Sequence, residues 1–329
     1  MRPFRYERAT DPDGAIAMVL ASEERTFLAG GTNLVDLMKL GVATPNALID
    51  VRDVTSDRIE ELPDGSIRIG AAVRNSDLAA DRRIRRRYPV LARAILSGAS
   101  GQLRNQATVG GNLLQRTRCV YFQDLTTPCN KRAPGSGCSA LAGLGRDAAI
   151  LGAAPSCVAT HPSDMTVALA ALDAVVHTRT SKGERSIALT ELHRLPGERP
   201  DRDTLLDHGE LITHVDVPPL AFARNSRYWK VRDRASYAFA LVSVAAALNV
   251  VDGTVRDARL ALGGVAHKPW RATNAEHALR GELATTEAFR SAAEAELGDA
   301  RPLAGNAFKV LLAINMITGI LAALAGDPR

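Results

Sequence analysis

The spacing of apolar positions changes along the chain and marks out its elements. Residues 13–22 carry Ala15, Ile16, Met18 and Val19 behind Asp11 and Asp13, either of which can cap the first free amides of a short helix. Thr26-Phe27-Leu28-Ala29 reads as a brief strand that runs into Gly30-Gly31-Thr32-Asn33, and helical spacing resumes over residues 34–39. Residues 47–51 and 66–71 are further strands, and residues 89–96 a helix. Strands alternating with helices argue for an α/β unit. Between residues 116 and 155 the periodicity stops, broken by Pro128, Pro134, Gly135, Gly137, Gly143, Gly145 and Pro155. An irregular stretch of that length inside a compact domain is usually functional or disordered. Helical spacing returns over residues 163–172.

A second change comes near Pro218-Pro219. Beyond it, residues 228–231, 240–251 and 254–262 read as strands, with the hairpin dipeptide Asp252-Gly253 between the last two. Helical stretches follow near residues 273–279, 286–297 and 306–325, so a small α+β domain is expected from about residue 227. Residues 310–325 are strongly apolar but carry Asn315, Thr318 and Gly319, and they fall short of the roughly 20 residues a bilayer requires. A buried terminal helix is expected there, with no membrane insertion. The start, Met1-Arg2-Pro3-Phe4-Arg5, lacks the apolar run of a secretory signal.

With 329 residues the chain exceeds what one core usually organises, so two or three structural units are expected. Apolar residues at 46% and charged residues at 23% exclude a wholly disordered chain. The charge balance, 41 − 36 = +5, is modest. The densest basic run, Arg82-Arg83-Ile84-Arg85-Arg86-Arg87, has only Tyr88 beside it, which fits a solvated helix face or a docking face for an acidic partner better than nucleic-acid binding.

The turn at Gly30-Gly31 sits where a strand gives way to a helix. Glycines there let backbone amides approach an anionic ligand, the helix start adds partial positive charge, and Thr32 and Asn33 can donate side-chain hydrogen bonds. This supports a pyrophosphate cradle, although strand–glycine–helix turns also arise for structural reasons alone. Ala107-Thr108-Val109-Gly110-Gly111-Asn112-Leu113 repeats the chemistry, and two such turns suit a dinucleotide held along its length. Gly135-Ser136-Gly137-Cys138-Ser139-Ala140 matches G-x-G-x-x-A in letters only, since no hydrophobic strand precedes it, and no nicotinamide site is expected.

Cys119, Cys129, Cys138 and Cys157 are the only cysteines, spaced C-x9-C-x8-C-x18-C. Two disulfides would need an oxidising compartment, and a structural zinc site usually shows a close C-x2–4-C pair, which is missing. A four-thiolate iron–sulfur cluster tolerates wider spacing. Gly135 and Gly137 would let amides approach the sulfurs, and Lys131 and Arg132 bring positive charge. The cluster is favoured over zinc and disulfides, which remain open on spacing alone.

Taken in order, the turns at 29–33 and 108–112, His161-Pro162-Ser163-Asp164 and Tyr228-Trp229-Lys230-Val231-Arg232 give the chain a recognisable pattern. It resembles the FAD-binding (medium) subunits of molybdenum hydroxylases, the xanthine dehydrogenase and carbon monoxide dehydrogenase family, over essentially its whole length. The resemblance implies α/β plus α+β architecture: a PCMH-type FAD-binding domain of two α/β subdomains over residues 1–222, then a small C-terminal domain of antiparallel sheet and helices over residues 227–329. Residues 113–160 form a cysteine-rich insertion where most relatives have a short link. It is similar to the insertions of 4-hydroxybenzoyl-CoA reductase and of the periplasmic aldehyde oxidoreductase, whose medium subunits hold an extra 4Fe-4S cluster. Arg116-Thr117-Arg118-Cys119-Val120-Tyr121-Phe122 with Pro128-Cys129-Asn130-Lys131-Arg132 is most similar to the latter.

By that resemblance Phe27, Leu28, Ala29, Gly30, Gly31, Thr32, Asn33 and Leu34 wrap the FAD pyrophosphate. Thr108, Gly111 and Asn112 continue the phosphate and ribityl contacts, and Asp164 accepts hydrogen bonds from ligand hydroxyls. Ile212 lines the flavin pocket, Lys230 sits near the ring, and Asp124 lies where cluster and flavin meet. Bland readings stand beside these: a helix cap for Asp164, a core position for Ile212, a surface charge for Lys230 and a solvated loop for Asp124. Flavin handles electrons singly or in pairs and a cluster handles one at a time, so the two together make a relay. The implied partners are a large molybdenum-cofactor subunit and a small 2Fe-2S subunit, with an external electron acceptor and no aldehyde chemistry in this polypeptide itself. The competing readings are a self-sufficient flavoenzyme and a non-redox module braced by zinc or disulfides. The chain by itself reads as cytoplasmic, while the resemblance implies export to the periplasm alongside a partner bearing a twin-arginine signal.

Overall fold

The computed structural model describes residues 1–326, so the last three residues of the expected C-terminal domain lie outside the described residues. The first subdomain is a parallel sheet of β1 (Arg5–Arg8), β2 (Arg25–Leu28) and β3 (Ala47–Asp50) in the order β1-β3-β2. Helix α1 (Pro12–Leu20) starts at Asp11, whose Oδ1 accepts the Gly14 amide at 2.8 Å, with Pro12 at the first helical position. It buries Ala15, Ile16 and Val19 against Ile49 and Val51. Helix α2 (Leu34–Lys39) follows the glycine turn.

The second subdomain is a five-stranded antiparallel sheet, β4 (Ile59–Glu61), β5 (Ile67–Gly70), β6 (Val175–Thr180), β7 (Gly183–Ala188) and β8 (Leu211–Val217), in the order β4-β5-β8-β6-β7. Strand–helix alternation thus yields a parallel sheet only in the first subdomain. Helices α3 (Asn75–Ala80), α4 (Arg82–Arg87), α5 (Pro89–Ser97), α6 (Gly101–Gln106), α7 (Val109–Leu113), α8 (Val120–Gln123), α9 (Asp164–Ala171) and α10 (Leu189–Leu192) complete it. Ile67, Ile69, Val215 and Val217 meet α5 and α9 in the largest core. The arginine run forms α4, where Arg83 pairs with Asp81 and Arg87 with Glu61.

The C-terminal unit is an antiparallel sheet in the order β12-β11-β10-β9, made of β9 (Ser226–Val231), β10 (Val242–Val251), β11 (Thr254–Gly263) and β12 (Trp270–Arg271). Asp252 (φ 51°) and Gly253 (φ 71°) both adopt positive φ, the geometry of a tight two-residue hairpin. Strand β10 is buried on both faces: Ala245 joins the second subdomain's core, while Val244 and Ala246 pack under the terminal helices. That is why its sequence is apolar without alternation. Helices α11 (Thr273–Leu279), α12 (Thr286–Leu297) and α13 (Phe308–Ala325) cover the outer face. Within residues 304–325 an 18-residue stretch reaches a mean hydropathy of 2.0, enough for a bilayer by composition, yet half of that stretch is buried in the protein.

Candidate functional site

A cavity of about 600 Å³ opens between the first and second subdomains. Phe27, Leu28, Ala29, Gly30, Gly31, Thr32, Asn33 and Leu34 form one wall, and Thr108, Gly110, Gly111, Leu114 and Arg116 form another. Glu210, Leu211 and Ile212 close it from β8. The two glycine turns touch: a Cβ on Gly30 would lie 2.1 Å from the Gln106 carbonyl oxygen and 3.0 Å from Ala107 Cα. Gly31 has φ +71°, which favours glycine. Thr108 Oγ1 accepts the Gly111 amide at 3.2 Å, fixing the start of α7. Asn33 does not cap α2 with its side chain; its Oδ1 accepts the Arg116 amide at 3.0 Å. Its Nδ2 is buried and has no partner among the described residues. A donor left in that state at a cavity wall is costly unless a ligand accepts from it.

Four expected ligand contacts stand outside that lining. Asp164 Oδ1 accepts from Tyr228 Oη at 2.6 Å, and Asp164 Oδ2 accepts from Lys230 Nζ at 2.8 Å, so the two expected flavin contacts satisfy each other. Lys230 Nζ also donates to the Ser97 carbonyl at 3.1 Å, joining β9 to α5. Burial and the Asp164 carboxylate push the Tyr228 phenol well above its usual range. Asn112 Oδ1 accepts from Ser163 Oγ at 2.5 Å and from Gln115 Nε2 at 3.0 Å, tying α7 to the start of α9. Asp124 is exposed and caps its own turn, accepting the Thr126 amide at 2.9 Å and hydroxyl at 2.7 Å.

The four cysteines surround one small cavity, together with Tyr121, Phe122, Pro128 and Lys131. None is in a disulfide; Cys129 and Cys157 are buried, and Cys119 and Cys138 half-buried. Cys129 faces Cys138 across an antiparallel bridge, with Gly135 and Gly137 at φ 87° and 102° turning the chain between them. The amides of Phe122 and Tyr121 point at Cys119, and that of Ala159 at Cys157. Burial pushes the Cys119 thiol up and the Cys157 thiol up to about 11. A thiolate here needs compensating positive charge, and Lys131 supplies part of it to Cys157. Arg132 braces the loop, donating to the carbonyls of Tyr121, Phe122 and Thr127.

Between flavin-type cavity and cysteine pocket runs an ion network that the sequence did not reveal. Arg116 Nε donates to Asp203 Oδ2 at 2.8 Å, and buried Lys131 donates to Asp203 Oδ1 from the other side. Lys131 Nζ also donates to the Pro200 carbonyl at 2.8 Å and to His267 Nε2 at 2.7 Å, while His267 Nδ1 donates to the Ala159 carbonyl at 2.9 Å. Burial would raise the Asp203 carboxyl, but Arg116 and Lys131 hold it well below the usual carboxylate range. Burial, then Lys131, pushes His267 down to about 4, so its imidazole is the neutral acceptor that Lys131 needs. Nearby, His161 and His193 rings meet edge to face at 4.3 Å, and His193 Nε2 donates to the Leu113 carbonyl at 2.8 Å.

Two family models match the chain: the FAD binding domain in molybdopterin dehydrogenase over residues 2–220, and the CO dehydrogenase flavoprotein C-terminal domain over residues 227–324. The chain belongs to the FAD-binding medium subunits of the molybdenum hydroxylase family. This medium subunit is 52% identical to the aldehyde oxidoreductase FAD-binding subunit PaoB of Escherichia coli, over 98% of each chain. It is 26% identical to the carbon monoxide dehydrogenase medium chain of Hydrogenophaga pseudoflava, over 97% of this chain and 96% of that one. A solved carbon monoxide dehydrogenase from the same organism superposes with a TM-score of 0.77 at 26% identity, covering 100% and 99% of the two chains. The quinoline 2-oxidoreductase of Pseudomonas putida 86 shares the fold, with a TM-score of 0.76 over 99% and 98%. The medium subunit is thus an oxidoreductase subunit that binds FAD. The residues present fit that group: the glycine walls leave backbone room for a pyrophosphate, and the orphaned Asn33 Nδ2 offers it a donor.

Proposed function

We propose that this chain is the electron-transfer subunit of an aldehyde-oxidising molybdenum hydroxylase, carrying FAD in the cavity between its subdomains and a 4Fe-4S cluster on Cys119, Cys129, Cys138 and Cys157. The observation that carries the proposal is the network Asn33–Arg116–Asp203–Lys131, which ties the glycine turn directly to the cysteine loop. Two cofactor regions fixed to one half-buried carboxylate keep a constant separation, which is what electron transfer between them requires. FAD exchanges electrons singly or in pairs, and the cluster exchanges one at a time.

The chain's own residues hold and insulate. Residues 27–34 together with Thr108 and Gly111 would seat the dinucleotide, and Ile212 and Leu114 exclude water from it. Amides of Phe122 and Ala159 would stabilise thiolate charge. The aldehyde assignment is supported by the 52% identical relative that bears that name. The partners in the proposal are a large molybdenum-cofactor subunit, where the aldehyde reacts, and a small 2Fe-2S subunit that delivers electrons to this chain. The electrons leave to an external acceptor.

The test is anaerobic addition of an aldehyde to the purified complex and to the isolated medium subunit, following flavin absorbance. Bleaching in the complex alone supports the relay; bleaching of the isolated subunit overturns it in favour of a self-sufficient flavoenzyme. The proposal extends to the periplasm as compartment, reached with a partner's twin-arginine signal. Recovery of the FAD-loaded complex only in the cytoplasmic fraction contradicts that part.

A further inference from the structure

The five-stranded sheet carries a side-chain group that neither cofactor region uses. His177 on β6 pairs directly across the ladder with His214 on β8, and their rings stack with centroids 4.2 Å apart and planes 13° apart. Asp216, two residues along β8, brings Oδ2 to 3.0 Å from His177 Nε2. One ligand atom from each of the three lies within 4.8 Å of the others, and all three residues are half-buried. Hydroxyls anchor the far ring nitrogens: Ser186 Oγ lies 3.0 Å from His177 Nδ1, and Thr213 Oγ1 lies 3.0 Å from His214 Nδ1. His177 Nε2 is left facing the carboxylate, and His214 Nε2 is buried with no hydrogen-bond partner among the described residues. Arg68 grips Asp216 from the other side, with Nε to Oδ1 at 2.9 Å and Nη2 to Oδ2 at 2.8 Å, which fixes the carboxylate's orientation.

We infer that His177, His214 and Asp216 form a binding site for one divalent cation of the zinc class, separate from the flavin cavity and the cysteine pocket. Two imidazoles and one carboxylate suit zinc, copper or nickel rather than magnesium or calcium, and three protein ligands with water in the open position is an ordinary zinc arrangement. A ligand histidine whose second ring nitrogen is held by a hydrogen bond presents the correct nitrogen to the metal, and both rings here are held so. The imidazoles bind a metal in their neutral form. The rings are stacked, so seating an ion takes a modest χ2 turn, a soft torsion in histidine, which the Ser186 and Thr213 hydroxyls follow by rotating. Bound there, the ion would cross-link β6 to β8 where their register shifts between His177 and Thr178. Strand β8 also supplies Leu211 and Ile212 to the flavin cavity, so the ion would stiffen one of its walls.

The purified complex, stripped with a mild chelator, is titrated with Zn²⁺ by calorimetry at neutral pH. One saturable event is expected that His214→Gln abolishes and Ser186→Ala weakens about tenfold. Because cysteines also take zinc, Cu²⁺ bound to the complex is read by electron paramagnetic resonance. Nitrogen hyperfine structure from two imidazoles is expected, unchanged in Cys138→Ser and lost in His214→Gln. Equal flavin content and equal unfolding temperature without added metal show that His214→Gln is folded. The inference is overturned if the wild-type complex takes up no zinc, if His214→Gln binds it as the wild type does, or if the copper spectrum carries no histidine coupling.

Discussion

Gly30→Ala is the sharpest perturbation of the flavin cavity. The added methyl would sit 2.1 Å from the Gln106 carbonyl oxygen and 2.9 Å from its carbon, against backbone that no side-chain rotation can relieve. The overlap is about 1 Å, so one glycine turn must move away from the other, at a cost of about 3 kcal/mol at the upper end of overpacking. The two turns form adjoining walls of the cavity, and any separation falls on the FAD site. If the whole cost is felt in binding, FAD affinity falls roughly 100-fold, since each tenfold is about 1.4 kcal/mol. The assay is the ratio of flavin to protein absorbance after extended dialysis, with chemical denaturation alongside. Gly101→Ala is the control, because a Cβ there meets nothing within 4 Å. Full FAD retention and unchanged stability in Gly30→Ala would refute the close-approach reasoning.

Lys230→Met leaves Asp164 charged and buried, with side chains only 3% and 8% exposed in the parent pair, and should destabilise by about 3 kcal/mol in urea unfolding. The double variant with Asp164→Asn should recover part of that loss; no recovery contradicts the pairing. Asp203→Asn leaves Arg116 and Lys131 without their shared counter-charge, so iron and flavin retention should fall together, and loss of neither would break the proposed link. Burial holds His193 at about 4 in the folded protein. Its unfolded value of about 6.5 is higher, so the unfolded state binds more protons between those values and stability falls as pH drops through that window. By pH 5 the loss from this residue is about 2 kcal/mol, and a His193→Leu variant should show a correspondingly flatter stability–pH slope.

The glycine turns were legible because their chemistry is local: a strand, two residues without Cβ and a helix are adjacent in sequence. The hairpin at Asp252-Gly253 and helix α13 were legible for the same reason. The antiparallel arrangement of β4 to β8 was not, because β7 is mostly exposed and carries Glu184 and Arg185 rather than an apolar run. The ion network was invisible for a topological reason: Asp203 lies 87 residues from Arg116 and 72 from Lys131, and no periodicity links them. Asp164 and Lys230 show the converse. Both were expected beside the flavin, and among the described residues they form a buried ion pair with each other outside the cavity lining.

The central claim is tested most directly by iron, sulfide and flavin analysis of the complex purified with its partner subunits, alongside its absorbance spectrum. The account predicts one FAD and about four iron per medium subunit beyond the iron of the 2Fe-2S centres. One FAD without that additional iron would contradict the cluster and return Cys119, Cys129, Cys138 and Cys157 to zinc or disulfides.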